Sequence, residues 1–540
     1  MSGEAALAET PDDGPLSLFI GVLHARRRDL DQALLHLRRA ADLLPGDPLP
    51  RIELARVLAD AGRENEAEAA LIDLSATGPF VAELARMRAR LAEARAAAGQ
   101  GEAALTAAKA QARALPYDPA VRIAVARLED LLGRPDMAEA ALGEALALDP
   151  DCAPALLALA DLAERGNRVD EVEGLLARAS AAGIQPAETA LLGARLRFRR
   201  GDLNGALAAA RQAPATGDGG ARAELTGRIL DRLDDPAAAF AAFAEMNREV
   251  GLVAPDARGT ARGYRAGIAQ MAGTVTADWY RGWSARTVTP ARIAPAFLFG
   301  FPRSGTTLVD TMLAGHDQVA VLEEKPVMDA AAAALTGMGP LAALDPAAVF
   351  ALREHYFEAL DAIEPRAPRR LAVDKHPLGI THVPLIHRLF PDARIIFVER
   401  HPCDVVLSGF MARFDPNVGK GSFLDLEDIA LLYDALLSMW QTYRNVLPLK
   451  VRTVRYERVL AEPETELRGL ADFLGLDWDG ALLYHEETAR RRGHIATPSY
   501  AQVTEPLNRR AEGRWRRYRA QLEPVLPILA PWAERLGYEM

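Results

Sequence analysis

Two hydrophobic rhythms divide the chain. From residue 15 to about residue 250, leucine and alanine recur at helical spacing, as in "ALLHLRRAADLL" and "ALLALADLAERG". This stretch is rich in alanine, leucine and arginine and poor in β-branched residues, so it predicts helices throughout. From about residue 291 the rhythm changes to short apolar runs separated by helical stretches: "AFLFGF", "QVAVLE", "RRLAVDK", "ARIIFVER" and "KVRTVRYE". Continuous apolar runs between helices predict a parallel sheet covered on both faces. Ligands of such sheets bind at the carboxyl ends of the strands. The polar residues closing the runs should therefore converge: Arg303, Glu323, Glu324, Lys375, Arg400 and Tyr456.

The helical half has an internal period. A turn residue followed five positions later by a small apolar one occurs at Arg28/Ala33, Gly62/Ala67, Gly99/Ala104, Gly133/Ala138, Asn167/Val172, Gly201/Ala206 and Asp234/Ala239. The second residue advances in steps of 34, 37, 34, 34, 34 and 33. In the first four units a proline follows twelve residues later, at Pro45, Pro79, Pro116 and Pro150. Glycine or asparagine can take the left-handed conformation that ends a helix, a small side chain lets two helices approach, and proline stops the second helix. This period resembles that of tetratricopeptide repeats, which stack into a solenoid. The resemblance implies about seven helical hairpins over residues 15–250 after a tail at 1–14, with a groove for a protein or peptide partner. A solenoid that only supports or dimerises the catalytic part stays open, and so does a homodimer. Residues 251–290 lose the period and read as a helical connector to a domain at 291–540. The expected architecture is α + α/β: an all-α tetratricopeptide solenoid followed by a P-loop-like α/β domain with a central parallel sheet.

Composition narrows the function classes. A chain of 540 residues is longer than a single core of roughly 250–300 residues, and its net charge of −11 argues against a general nucleic-acid binder. Cys152 and Cys403, its only cysteines, give no disulfide framework and no cysteine metal cluster, which suits a reducing compartment. The opening "MSGEAALAETPDDGP" is acidic without an apolar centre, and no run approaches the ~20 apolar residues of a membrane span. The expectation is a cytoplasmic protein bound to neither membrane nor nucleic acid.

Candidate chemistry lies in "AFLFGFPRSGTTLVDTML", a strand, a glycine-bounded turn and a helix. Gly300 and Gly305 keep the spacing of G-x-x-x-x-G-K-[ST], but Thr306 stands at the lysine position. Backbone N–H groups from Arg303 to Thr307 would wrap an anion at the helix start, helped by the hydroxyls of Ser304, Thr306 and Thr307 and by the Arg303 fork. Without the lysine, a cradle for β and γ phosphates is incomplete. A nucleotide with one 5′ phosphate carrying a transferable group fits better.

"PRSGTT" resembles the 5′-phosphosulfate loop of sulfotransferases that use 3′-phosphoadenosine 5′-phosphosulfate, and "RHPCDVVLSGF" resembles their 3′-phosphate motif. "VLEEKPVM", "DKHP" and "SYAQVTEPLN" are similar to segments of the protein-tyrosine sulfotransferase branch, so the likeness spans roughly residues 295–520. It implies Glu324 as general base beside Glu323, with Lys375 and Ser499 meeting charge on the leaving phosphate and no metal. Mutual repulsion of the paired carboxylates should raise the pKa of at least one. The resemblance gives the 5′ end of the donor to Arg303, Ser304, Gly305, Thr306 and Thr307, and the 3′ phosphate to Arg400, Ser408 and Arg514. Tyr456, Gln502, Val503 and Asn508 would lie at the nucleotide. Arg413 is displaced by one residue from the branch's further arginine. His376 and His401, next to strand ends, are candidates to line the site. The arginines of "RRRGH" and "RRAEGRWRRYR" are solvated helix faces or the source of a field that draws in an anionic donor. Where that branch carries arginines after the acid pair, this chain reads "KPVMD". The acceptor therefore stays open among protein tyrosine, peptide, carbohydrate and small hydroxylated metabolite. Two other classes remain. A P-loop kinase or phosphotransferase is opposed by Thr306, and a non-catalytic interaction protein is opposed by Glu324 and Lys375.

Overall fold

The computed structural model describes all residues except 1–6, 8, 9, 11, 28, 72, 73, 75–79, 96–99, 167, 215–219, 255, 284–291, 334, 336–338, 366–369, 415–418 and 493–505. The periodic half is a series of helix pairs, among them Leu49–Asp60 with Glu64–Leu71 and Pro119–Leu131 with Pro135–Leu148. The repeated small residues are what the hairpins close upon: Ala33, Ala67, Ala104, Ala138, Val172, Ala206 and Ala239 are each at most 2% exposed. Gly62 and Gly133 take left-handed φ values of +69° and +75° between paired helices. Pro45, Pro116 and Pro150 each lie two residues past a helix end, at Leu43, Ala114 and Leu148. No helix among the described residues is long and apolar enough to cross a membrane.

The repeat period runs to residue 250, whereas the compact units are Met1–Ala213 and Pro214–Met540. The seventh hairpin, Ala221–Arg232 with Pro236–Val253, shares its core with the α/β body. Phe240 stacks on Phe410 at 4.6 Å, and Asn247 Nδ2 donates to the Phe410 carbonyl at 2.9 Å. The next helix, Ala257–Thr274, continues this layer: Ile268 is fully buried and Arg265 pairs with Asp428 at 2.7 Å. These residues are spaced as in any repeat helix, so nothing in the local pattern tells which surface they cover.

The five apolar runs form five strands: β1 (Ala296–Gly300), β2 (Val319–Glu323), β3 (Leu371–Lys375), β4 (Arg394–Glu399) and β5 (Lys450–Arg455). They pair in parallel in the order β2-β3-β1-β4-β5. Alternation along β1 feeds two cores. Phe297 and Phe299 join Phe397 and Trp440 on one face, while Leu298 joins Val309, Met312, Ile396 and Leu470 on the other. Both faces are covered, as parallel sheets require. The register sets Glu323 beside Lys375, bringing the acid pair and the lysine to one carboxyl edge.

Candidate active site

After β1 the chain turns through Phe301–Gly305 into the helix Thr306–Leu313. A Cβ on Gly300 would lie 2.6 Å from Ser304 Oγ and 2.8 Å from the Val398 carbonyl, so only glycine allows the turn to fold back this tightly. Arg303 and Gly305 have φ of +74° and +107°. Left-handed conformations in a non-glycine residue cost energy and are held only where surrounding structure over-determines them. Here they curl the turn at the start of a helix, the geometry of an anion nest. Ser304, Thr306 and Thr307 are buried, and Ser304 Oγ is without a hydrogen-bond partner among the described residues. An oxyanion in the turn would remove that desolvation cost of about 1–3 kcal/mol.

Gly305→Ala tests this turn. A Cβ there would lie 2.4 Å from the Tyr456 ring, at a φ that alanine rarely adopts. The expected result is a loss of about 1–3 kcal/mol in chemical denaturation, together with weakened anion binding. Gly480→Ala, whose Cβ would meet nothing within 4 Å, serves as the neutral control.

Guanidinium groups gather around the turn. Arg303 Nε donates to Ser408 Oγ at 3.2 Å, placing the helix Pro402–Phe410 against the loop. Arg400 Nη1 donates to the Arg303 carbonyl at 3.1 Å, Nη2 donates to the Ala511 carbonyl at 2.5 Å, and the group lies 4.7 Å over the Tyr456 ring. Burial, and then the charges of Arg400, Arg514 and Arg228, push Arg303 down to about 10. A bound polyanion would relieve this mutual repulsion.

A second charged network occupies the β2–β3 side. Lys375 is fully buried, with Nζ 3.1 Å from Glu324, 3.2 Å from Glu323 and 3.4 Å from Asp310. Arg492 bridges Asp310 at 2.8 Å and Glu323 at 3.0 Å, and Lys420 stands 3.7 Å from Glu324. Burial works against the Lys375 charge, yet Asp310, Glu324 and Glu323 together raise its pKa. The two adjacent acids diverge. Burial, reinforced by Asp310, raises Glu323 despite Lys375 and Arg492. Burial also acts upward on Glu324, but Lys375 and Lys420 outweigh it and hold the group below its ordinary range. So Glu323 is the acid that rises, and Glu324 stays the stronger acid. Side-chain exposure is 26% for Glu324 and 10% for Glu323, so Glu324 has the readier access to a ligand. Glu324 also sits at φ +49°, its N–H donating to the Lys375 carbonyl at 2.8 Å.

The remaining sequence candidates divide. Arg514 opens the turn Arg514–Tyr518, which buried Asp404 ties to the Ser408 helix by accepting from Gly513 N at 2.7 Å and Trp515 N at 2.8 Å. Tyr456 packs beside Gly305. Asn508 is exposed and its amide donates to the Pro506 carbonyl of its own segment at 3.3 Å. Ser499, Gln502 and Val503 lie outside the described residues. His401 caps a helix: Nδ1 accepts from Cys403 N at 3.2 Å, Nε2 bonds the Glu539 carbonyl at 3.0 Å, and the ring stacks on Trp515. His376 is half-buried next to Lys375, and burial lowers its pKa. Arg413 reaches Glu224 at 3.4 Å. Sequence reasoning missed Asp310, Asp404, Lys420 and Arg492. Arg492 had one usable signal, its place in an arginine run beside the "SYAQVTEPLN" segment.

Comparison with known proteins agrees with this geometry. Residues 295–480 match the sulfotransferase family and residues 24–91 match the tetratricopeptide repeat. Over 255 residues the chain is 29% identical to an uncharacterized protein of Aquifex aeolicus, a match covering 45% of this chain and 33% of that protein. Protein-tyrosine sulfotransferase 1 of Danio rerio is 26% identical over 259 residues, covering 45% of this chain and 72% of the relative. The solved sulfotransferase domain of a Synechococcus olefin synthase aligns with a TM-score of 0.36 and 23% identity, over 48% of this chain and 99% of that domain. Along the chain, a segment that matches the tetratricopeptide repeat thus precedes one that matches the sulfotransferase family.

Proposed function

We propose that this enzyme moves a sulfuryl group from 3′-phosphoadenosine 5′-phosphosulfate to a hydroxyl acceptor. The observation that carries the reading is the buried, arginine-ringed turn 301–307 lying at the same sheet edge as the accessible carboxylate Glu324. The donor supplies the sulfuryl group and leaves as adenosine 3′,5′-bisphosphate. The chain supplies the rest. Arg303, Ser304, Gly305, Thr306 and Thr307 hold the 5′ phosphate, while Arg400, Ser408 and Arg514 hold the 3′ phosphate. Tyr456 borders the nucleotide, and Gln502, Val503 and Asn508 cover it. Glu324 takes the acceptor proton, which makes the acceptor oxygen nucleophilic toward sulfur. Lys375 keeps Glu324 oriented and ionised, and with Ser499 it offsets charge on the departing oxygen. Hydroxyls of protein tyrosines are the first acceptors to test, because the named relatives are protein-tyrosine sulfotransferases. The repeats suit a protein or peptide partner in their groove, with the acceptor itself as the leading candidate.

Adenosine 3′,5′-bisphosphate at about 100 times its dissociation constant should stabilise the protein by roughly 2.7 kcal/mol, read as a rise in melting temperature. ATP with magnesium should give no rise. The opposite pattern would return the kinase reading. Transfer of labelled sulfate from the donor into a host-cell lysate then identifies the acceptor.

A further inference from the structure

We infer that Lys420 is a positioning residue for Glu324, an ammonium that the helix Ala257–Thr274 holds at the second oxygen of that carboxylate. The inference rests on the sulfotransfer reading and adds to it a group from outside the strand edge that carries the acid pair and Lys375.

The two oxygens of Glu324 have different partners. Oε1 lies 3.1 Å from Lys375 Nζ, while Oε2 lies 3.7 Å from Lys420 Nζ. A carboxylate held at one oxygen can swing about that contact, whereas cations at both oxygens fix its plane and so the direction from which a proton arrives. What holds Lys420 is the chain on either side of it. A Cβ on Gly419 would lie 2.7 Å from the Leu378 side chain and 3.7 Å from the Tyr264 ring, and one on Gly421 would collide with the Ala257 carbonyl. Both glycines are therefore close approaches that a side chain would spoil. Next in the chain, Ser422 is fully buried and its Oγ accepts from Arg265 Nη1 at 3.1 Å. Arg265 Nη2 in turn pairs with Asp428 at 2.7 Å, and Leu424 packs against Val250 and Ala257. Ala257, Tyr264 and Arg265 belong to one helix, so that helix sets the point from which the Lys420 side chain reaches the base. The face of Phe414, 5.9 Å from Nζ, favours the cation there as well. Glu324 also feels Lys375 and His376 from the end of β3. Lys375 is shared among Glu324, Glu323 and Asp310, and Lys420 adds a second positive charge at the other oxygen of the base.

Transfer from the donor to a tyrosine-bearing peptide, followed against pH in the full chain, tests the inference. Lys420→Met should move the acid limb of kcat/KM up by about one pH unit, because a cation at 3.7 Å in a partly exposed site favours the ionised carboxylate by about that much. Lys420→Arg should keep the limb at its wild-type place. Lys420→Glu should move it further than methionine does. Calorimetric titration should give all three variants the wild-type affinity for adenosine 3′,5′-bisphosphate, since Lys420 acts on the base and not on the donor. An unmoved limb in Lys420→Met, an arginine variant that matches the methionine one, or a bisphosphate affinity lost in step with activity would overturn the inference. If the wild type transfers no sulfuryl group to peptide tyrosine or to any species of a host-cell lysate, the sulfotransfer reading fails and takes the inference with it. If it transfers and the variants share its pH profile, only the role of Lys420 falls.

Discussion

Glu324→Gln should lower kcat by about 10²–10⁴-fold while adenosine 3′,5′-bisphosphate binds as it does to the wild type. The substitution keeps the shape of the side chain and leaves Lys375 with Glu323 and Asp310 at 3.2 and 3.4 Å, so the network survives and only the basic oxygen is lost. Full turnover in the variant would remove Glu324 as base. Glu323→Gln is the comparison. Its carboxylate is held by both Lys375 and Arg492 and is less accessible, so a smaller loss is expected. A pH profile adds a second reading. The lysines hold Glu324 below the ordinary glutamate value of 4.5, so the base is already ionised at neutral pH. Activity should fall only as pH drops through the lowered value, placing the acid limb of kcat/KM below 4.5. The same depression contributes stability that is present above the unfolded pKa and lost as pH falls through the folded one. An acid limb above 4.5 would point to Glu323, whose pKa moves the other way.

Lys375→Met should be the most destabilising single change in the site, at about 3–5 kcal/mol. Lys375 is within 3.4 Å of Asp310, Glu323 and Glu324, and Asp310 is fully buried. Removing the ammonium leaves three carboxylates to repel one another, with Arg492 bridging only Asp310 and Glu323. Asp310→Asn introduced into the Lys375→Met protein should recover part of the loss, because it removes one of the stranded charges. All six tryptophans (Trp279, Trp283, Trp440, Trp478, Trp515 and Trp532) lie within Pro214–Met540, so tryptophan fluorescence in urea follows this unit alone. A loss below 1 kcal/mol, or no recovery in the double variant, would show that the network is not held by the lysine.

Features carried by local pattern were legible in the sequence. The five strands are continuous apolar runs, the repeats show in their small-residue period, and the tight turn after β1 shows in its glycines. What escaped depends on partners far along the chain. Asp310 looks like an ordinary polar residue of a helix until Arg492, 182 positions later, is found beside it. Arg492 belongs to an arginine run, and neither composition nor periodicity tells which member turns inward. The adjacency of Glu323 and Glu324 suggested mutual repulsion, but burial reinforced by Asp310 is what raises Glu323, while Lys375 and Lys420 hold Glu324 down. The seventh hairpin follows the repeat rhythm and packs on the sheet-bearing unit, because Phe240 and Asn247 find their partner in Phe410, a residue no helical period could indicate.

With β1 at the centre of the order β2-β3-β1-β4-β5, the loop it launches is the hinge line of a divided workplace. On the proposed reading, nucleotide recognition is assembled from the β4 and β5 flank, while proton removal is assembled from the β2 and β3 flank. Changes after β2 can thus re-aim the reaction at a different hydroxyl without altering the grip on the donor. A common donor half can in this way serve descendants with unlike acceptors.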